Sequence, residues 1–203
     1  EPCLLDSECT SFVTHTQFLL LTNSQSKLRF VPLVVENVAA LKVESEWDRD
    51  VETQGLLVTC VPRGARVIIN APRGSLETLY PRPLVERASL SLIRARRYGA
   101  ALELMRKHKL DLSAIATHDL EGFLQHVEAF VAEVSDADRM SLFLTSIGEN
   151  AAVAPNVVNR VCVAVRDELR KLPSTTHVFP ILTSFVQQKP AELEAALAVV
   201  QTL

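Results

Sequence analysis

The chain has 203 residues, of which 48% are hydrophobic, and a formal net charge of −3. That length suffices for one large domain or two small ones, and a charge so near zero excludes a protein that binds polyanions over its whole surface. The few aromatic residues exclude a stacking platform for single-stranded nucleic acid, and because no apolar run approaches the roughly 20 residues that span a bilayer, we expect no membrane partner.

Residues 11–73 show short alternating or continuous apolar runs, a pattern that predicts β structure. The predicted strands are residues 11–14, 17–22, 28–33, 56–61 and 66–70. Polar turn clusters separate them, which favours an antiparallel meander with tight hairpins. The acidic and polar residues 43–53 predict a loop.

Strands of this number form one propeller blade or slightly more. A blade cannot bury both of its faces alone and needs neighbours. The chain opens on Glu1 and Pro2 without an initiator Met. We therefore expect the strands to be the last piece of a larger WD40-type propeller, with a small independent sheet as the alternative.

From Pro83 onward the apolar residues recur every three to four positions, which predicts helices. The stripes cover residues 84–92, 98–105, 123–131, 140–147, 157–169, 178–186 and 193–200. Residues 111–113 and 117–119, which end in Ser113 and Asp119, each offer a cap before the next segment, another segment runs from Asp136 to Ile147, and Pro190 is predicted at a first helical position. Seven or eight short helices with short connections indicate an α-solenoid.

The fold class predicted from these patterns is α+β by segment, with antiparallel strands followed by an all-α, TPR-like solenoid. The tetratricopeptide likeness is faint and rests on the spacing of Arg97, Tyr98, Ala101 and Leu102. We place the terminal propeller strands at residues 1–73, a hinge at 74–83 and the solenoid at 84–203.

The four cysteines, Cys3, Cys9, Cys60 and Cys162, have no metal-binding spacing. They indicate free thiols in a reducing compartment, with a disulfide between Cys3 and Cys9 as the alternative. We therefore expect a cytoplasmic location, with the nucleus as a second one.

The sequence has no phosphate-binding loop, dinucleotide fingerprint or nucleophile elbow. Its densest polar cluster contains His118, Glu121, His126 and Glu128. His118 and Glu121 could share a helix face, but a third metal ligand is not evident. We predict no catalytic residue, no cofactor and no metal, and a small hydrolase or metal enzyme is the competing hypothesis.

One group of cations lies at the ends of two adjacent predicted helices. Its members are Arg94, Arg96, Arg97, Arg106, Lys107, His108 and Lys109. One interpretation is that they stabilise helix C-termini. The other is that they contact RNA or an acidic partner, with a salt-dependent affinity if the contact is to phosphates.

The segment RGSLETLYPRPLV at residues 73–85 closely resembles the point where the second propeller passes into the helical solenoid in the Elongator protein 1 (IKAP) family. The resemblance continues in order along the chain. It includes CTSF at 9–12, FLLLT at 18–22, YGAALELMRKHKLDL at 98–112, residues 123–130, LFL at 142–144, ILTSF at 181–185 and PAELE at 190–194.

The resemblance implies a non-catalytic scaffold of the Elongator complex, which modifies the wobble uridine of tRNA. Its partners would be the catalytic subunit 3 and the propeller subunit 2, with tRNA as an indirect partner. The family dimerises through a region absent from this chain. The alternative function is a scaffold of a membrane coat or pore complex, which rests on architecture alone.

Overall fold

The computed structural model describes residues 6–33, 45–172 and 175–201. They fall into two compact units, which divide between Ala88 and Ser89. We call the part before this division unit one and the part after it unit two.

Unit one contains two antiparallel sheets. Their strands are β1 (Cys9–Thr14), β2 (Phe18–Asn23), β3 (Lys27–Pro32), β4 (Arg49–Asp50), β5 (Leu56–Cys60), β6 (Val67–Asn70) and β7 (Leu76–Leu79). The first sheet has the order β1-β2-β3-β4 and the second β5-β6-β7. The Ser11 hydroxyl joins the sheets by accepting a hydrogen bond from the Leu57 amide at 2.8 Å.

Residues 45–53 are more ordered than the predicted loop. Ser45–Trp47 form a 3-10 turn, and the Trp47 ring packs edge-on against Phe18 with centroids 5.7 Å apart. Strand β4 then pairs with the start of β3. The loop prediction was wrong here because one aromatic contact and a two-residue strand leave almost no periodic signal in the sequence. Residues 43–44 of the predicted loop lie outside the described part.

Strand β7 lies within the segment that we assigned to the hinge at 74–83. It pairs with β6 from Val67 opposite Leu79 to Asn70 opposite Leu76. Gly74, with φ of 82°, lies in the turn between β6 and β7, a backbone conformation that favours glycine. The strands therefore extend beyond residue 73. Strand β7 forms by backbone pairing with β6, and it was not predicted because it is exposed and has no alternating apolar pattern. The domain limits themselves stay a prediction.

The helices follow one another with short connections. They are α1 (Arg82–Arg94), α2 (Tyr98–Lys107), α3 (Ala114–Thr117), α4 (Leu120–Gln125), α5 (Val127–Glu133), α6 (Ala137–Glu149), α7 (Pro155–Arg170), α8 (Val178–Val186) and α9 (Leu193–Gln201). The Pro81 carbonyl accepts the first helical bonds of α1, from the amides of Leu84 and Val85. Asp119 caps α4 as predicted, and Asp136 caps α6.

Two helix predictions were wrong in detail. The stripe at 123–131 is not one helix, because His126 is non-helical (φ −124°, ψ 22°) and separates α4 from α5. Pro190 does not begin the last helix, which starts at Leu193. The Asn159 side chain accepts from the Lys189 amide at 2.8 Å and donates to the Lys189 carbonyl at 2.9 Å, which holds this backbone against α7 in a non-helical form.

The core of unit two is built around four aromatic rings. Phe130 lies between Tyr98, Phe123 and Phe143, with centroid distances of 5.9, 5.1 and 4.7 Å. All four rings are buried. They come from α2, α4, α5 and α6, so the amphipathic stripes of these helices converge on one cluster, as their spacing predicted.

The sequence predicted free cysteine thiols, with a disulfide between Cys3 and Cys9 as the alternative. Cys9 is a free, exposed thiol, whereas Cys3 lies outside the described residues. Cys60 and Cys162 are free and buried. Burial raises the pKa of Cys162 to about 11, so this thiol stays protonated and unreactive near neutral pH.

We expect unit one to lose stability when the pH falls below the ordinary histidine pKa of 6.5. His15 is buried; its Nδ1 accepts from the Gln17 amide and its Nε2 lies 3.2 Å from the Gly64 carbonyl. Burial lowers its pKa in the folded chain, so on acidification the unfolded chain takes up a proton first and is stabilised. The loss begins near pH 6.5 and ends below the folded pKa.

Urea unfolding at a series of pH values, followed by the signal of Trp47, checks this expectation. In a His15→Asn variant, the Asn carbonyl can still accept from Gln17, and this part of the pH dependence should disappear. An unchanged pH dependence in the variant would assign the loss to other groups.

Candidate interaction surface

The seven cations predicted as a contact site fall into two groups at opposite ends of α2. The α1–α2 group consists of Arg94, Arg96 and Arg97. The α2 C-terminal group consists of Arg106, Lys107, His108 and Lys109. Since α2 has ten residues, about 15 Å of helix separates the groups. The structure therefore does not bring the seven together into one patch.

Helix α1 ends in a Schellman motif. The Arg97 amide donates to the Leu92 carbonyl and the Arg96 amide to the Ile93 carbonyl, both at 2.9 Å. Arg96 occupies the left-handed position of this motif with φ of 58°, where glycine is usual. The chain thus keeps a cationic side chain at a position where its backbone conformation is unfavourable.

Helix α2 ends in the same way. The Leu110 amide donates to the Met105 carbonyl at 2.9 Å and the Lys109 amide to the Arg106 carbonyl at 3.2 Å. Lys109 has φ of 55° and corresponds to Arg96 at the end of α1. The two cations are therefore equivalent in backbone geometry but lie at different ends of α2.

Within the α2 C-terminal group, Arg106 pairs with a carboxylate of its own helix and His108 is uncharged. Arg106 lies 3.2 Å from Glu103, which also lies 3.3 Å from Arg139. Burial lowers the pKa of His108, and the charge of Lys107 lowers it further, so this histidine is neutral at pH 7. A structural role therefore fits Arg106 and His108.

The start of α2 is capped from another helix. Arg97 at the N-cap makes no side-chain capping bond, and the Glu133 carboxylate at the end of α5 accepts from the Gly99 amide at 2.7 Å. A Cβ atom at Gly99 would lie 3.1 Å from the Glu133 carbonyl, so glycine permits this close approach. The carboxylate also places a negative charge beside the α1–α2 group.

A cavity of about 250 Å³ adjoins the α1–α2 group. Its polar lining is Arg94, Arg96, His118 and Asp119, and its apolar lining is Ile93, Tyr98, Ile115 and Phe123. Burial raises the pKa of Tyr98; the charge of Arg96 opposes this shift and those of Asp119 and Glu133 add to it. The cavity thus places two arginines, one histidine and one carboxylate beside apolar side chains.

His118 and Glu121, the residues of the metal hypothesis, have other partners. His118 Nε2 accepts from Arg94 Nε at 3.2 Å. Both oxygens of Glu121 accept from Arg160, at 2.7 and 3.0 Å, and this contact holds the pKa of Glu121 below its usual value. Among the described residues no group of three His, Cys, Asp or Glu side chains could hold a metal ion.

We expect Arg96→Gly and Lys109→Gly each to leave the free energy of unfolding within about 0.5 kcal/mol of the parent value. Relief of the left-handed backbone, worth about 1 kcal/mol, offsets the loss of a cation at a helix C-terminus, worth about 0.3–1 kcal/mol. Urea unfolding measures both. A loss above about 1 kcal/mol in either variant would show that the side chain itself stabilises the helix end.

The sequence predicted the cations of this region but not the cavity. The cavity is formed because the turn after α1 meets the residues between α3 and α4, which lie more than twenty positions later in the sequence. Asp119 was predicted as a helix cap, and this prediction located the turn before α4. Nothing in the periodicity indicated that Arg94 would contact His118.

No helix within residues 6–33, 45–172 and 175–201 is long and apolar enough to cross a membrane.

Two family models match the chain in the order predicted. Residues 2–68 match the model described as ELP1 N-terminal second beta-propeller, and residues 82–154 match the model described as ELP1 alpha-solenoid. Together they cover more than half of the chain. The antiparallel strands thus correspond to the end of a propeller and the helices to a solenoid, which confirms the predicted fold class.

Curated relatives agree with these models. The chain is 30% identical to Elongator complex protein 1 of Schizosaccharomyces pombe over 100% of its own length and 18% of the relative. Identity to the Saccharomyces cerevisiae protein of the same name is 28%, over 98% of the chain and 18% of the relative. For the Oryctolagus cuniculus protein it is 29%, over 97% and 17%. The chain spans less than a fifth of the length of these relatives.

Proposed function

Because the chain belongs to the Elongator complex protein 1 family, we propose that it is a non-catalytic scaffold within the Elongator complex. In this role it supports modification of the wobble uridine of tRNA by holding other subunits in place. The ordered match of a propeller model and a solenoid model along one chain carries the proposal.

The contacts of the polar residues support a scaffold. The residues that could have formed a catalytic or metal site are engaged in joining helices: Arg94 with His118, and Glu121 with Arg160. Likewise, the Asn150 amide donates to Asp111 at 2.7 Å and to Ser113 at 2.9 Å, and so links the α2–α3 connection to the α6–α7 connection. Such contacts stiffen a helical array, which is what a binding platform requires.

The proposed partners are the catalytic subunit 3 and the propeller subunit 2, with tRNA as an indirect partner and dimerisation of the longer protein elsewhere. The location that we propose is the cytoplasm, and also the nucleus. The relatives reported above are named Elongator complex protein 1. For this reason we do not favour the scaffold of a membrane coat or pore complex.

The proposal is tested with the full-length protein in cells that lack their own copy. Tagged protein should co-purify with the other Elongator subunits and restore modified wobble uridine, measured by mass spectrometry of digested tRNA. Changing Arg94, Arg96 and Arg97 to Glu should reduce both, because cationic surfaces set partner choice.

The matched control reverses three exposed arginines in the turns of unit one, Arg63, Arg66 and Arg73. It tests whether charge alone, without regard to position, explains the effect. Purification without any Elongator subunit would contradict the scaffold role. Full assembly and full tRNA modification with the variant of Arg94, Arg96 and Arg97 would remove that role from the helical unit.

A further inference from the structure

We propose that the cavity between the α1–α2 turn and the residues joining α3 to α4 binds an acidic side chain from a segment of a partner protein. Arg94 and Arg96 would hold its carboxylate. Only the identity of the partner rests on the proposed scaffold function. The binding of a carboxylate is a property of this chain.

The first argument is that two guanidinium groups line one cavity without a carboxylate partner. Among the described residues, neither Arg94 nor Arg96 forms an ion pair, although both line the same 250 Å³ space. Asp119 also lines the cavity; its Oδ1 accepts from the Gly122 amide at 3.0 Å as the cap of α4, and it forms no ion pair with either arginine. Arginine forks bind carboxylates through two parallel hydrogen bonds, so such a pair is a suitable receptor.

The second argument is that Arg94 already has one side-chain contact at the cavity. Its Nε donates to His118 Nε2, and no described residue accepts from its terminal nitrogens. These nitrogens remain available to a carboxylate. Because this bond restricts the side chain, binding would cost less rotamer entropy than for a surface arginine with no contact.

A peptide side chain fits the site better than an RNA backbone does. RNA contacts need several cations along the path of the phosphates, but the second cationic group lies about 15 Å away and its Arg106 is paired with Glu103. Asp119 and Glu133 flank the α1–α2 group and would repel successive phosphates. One carboxylate needs only the two arginines.

The experiment measures binding of a fluorescein-labelled hexaglutamate peptide to the full 203-residue chain by anisotropy, at low and at physiological ionic strength. Arg96→Gly should weaken binding about tenfold, the usual effect of losing one charge-assisted hydrogen bond. Lys109→Gly is the matched control, since it removes one cation from the same backbone geometry at the other end of α2. At physiological ionic strength, where charges this far apart are screened, it should stay within about twofold of the parent affinity.

Two further variants test the cavity independently of Arg96→Gly. Arg94→Gln keeps the helix and should also weaken the peptide about tenfold. Asp119→Asn should tighten binding, because asparagine still caps α4 while the like charge beside the bound carboxylate is gone. Circular dichroism verifies that each variant is folded.

Three results would overturn the inference. The first is no hexaglutamate binding by the parent chain at low ionic strength. The second is equal weakening by Arg96→Gly and Lys109→Gly, which would mean unspecific attraction. The third is tighter binding of an oligouridylate of equal charge, weakened by the same arginine variants, which would assign the cavity to RNA. None of these changes the co-purification result, so the scaffold proposal is judged separately.

Discussion

Phe123→Ala is expected to lower the free energy of unfolding of unit two by about 3–5 kcal/mol. Phe123 is 1% exposed, and its ring lies 5.8 Å from Tyr98, 5.1 Å from Phe130 and 6.0 Å from Phe143. Truncation removes the apolar transfer energy of the ring and leaves a cavity whose walls come from three other helices. Urea unfolding followed by far-ultraviolet circular dichroism measures the loss, because the helices dominate that signal.

The matched control is Phe179→Ala in the same unit. Phe179 is 74% exposed, so its truncation removes little buried area and should change the free energy of unfolding by less than about 0.5 kcal/mol. A loss below about 1 kcal/mol for Phe123→Ala would contradict the packing of α4 described here. Equal losses for the two phenylalanines would do the same.

The helical stripes were predictable because each helix buries one face against the same cluster. Residues 98–105, 140–147 and 157–169 of the sequence agree with α2, α6 and α7. The interruption at His126 was not predictable, since the apolar spacing continues through it. A break in backbone hydrogen bonding leaves no mark in a pattern of side chains when both flanking helices bury the same face.

The strands show a similar division. β2 and β3 were predicted almost residue for residue, because each alternates or runs apolar with turn residues on both sides. β4 and β7 were missed, since β4 has two residues, both exposed, and β7 exposes Leu76, Glu77 and Thr78. These two strands exist through pairing with a neighbour, and pairing partners cannot be read from local composition.

The sequence predicted which residues of these turns carry charge, but not which of them contact one another. The sequence could show that Arg94 and Arg96 follow a helix and that Asp119 precedes one. It could not show that these turns enclose a common cavity. Contacts between turns depend on helix lengths and crossing angles, which a periodicity of 3.6 residues does not contain.

The second large effect is expected for Arg29→Met in β3, with a loss of about 3–5 kcal/mol in the free energy of unfolding of unit one. Arg29 Nη1 lies 3.0 Å from Asp6 and its Nε 3.2 Å from Asp48. The two carboxylate side chains are only 6% and 9% exposed. Methionine keeps the apolar stem but leaves two buried negative charges without their cation.

The control is Lys27→Met in the same strand, whose ion pair with Asp50 is 3.8 Å long and joins side chains that are 40% and 90% exposed. Its loss should be less than about 0.5 kcal/mol. Urea unfolding followed by the fluorescence of Trp47 reports on this sheet, because the indole packs on Phe18 beside it.

A triple variant separates charge from packing. Adding Asp6→Asn and Asp48→Asn to Arg29→Met should recover part of the lost stability, because a neutral amide costs less to bury than an unpaired carboxylate. Recovery will be incomplete, since Asp6 Oδ2 also accepts from the Asn23 side chain at 3.5 Å, which an amide nitrogen cannot do. If the triple variant were no more stable than Arg29→Met alone, the loss would come from packing. The ion pairs of Arg29 with Asp6 and Asp48 would then not be what stabilises unit one around β3.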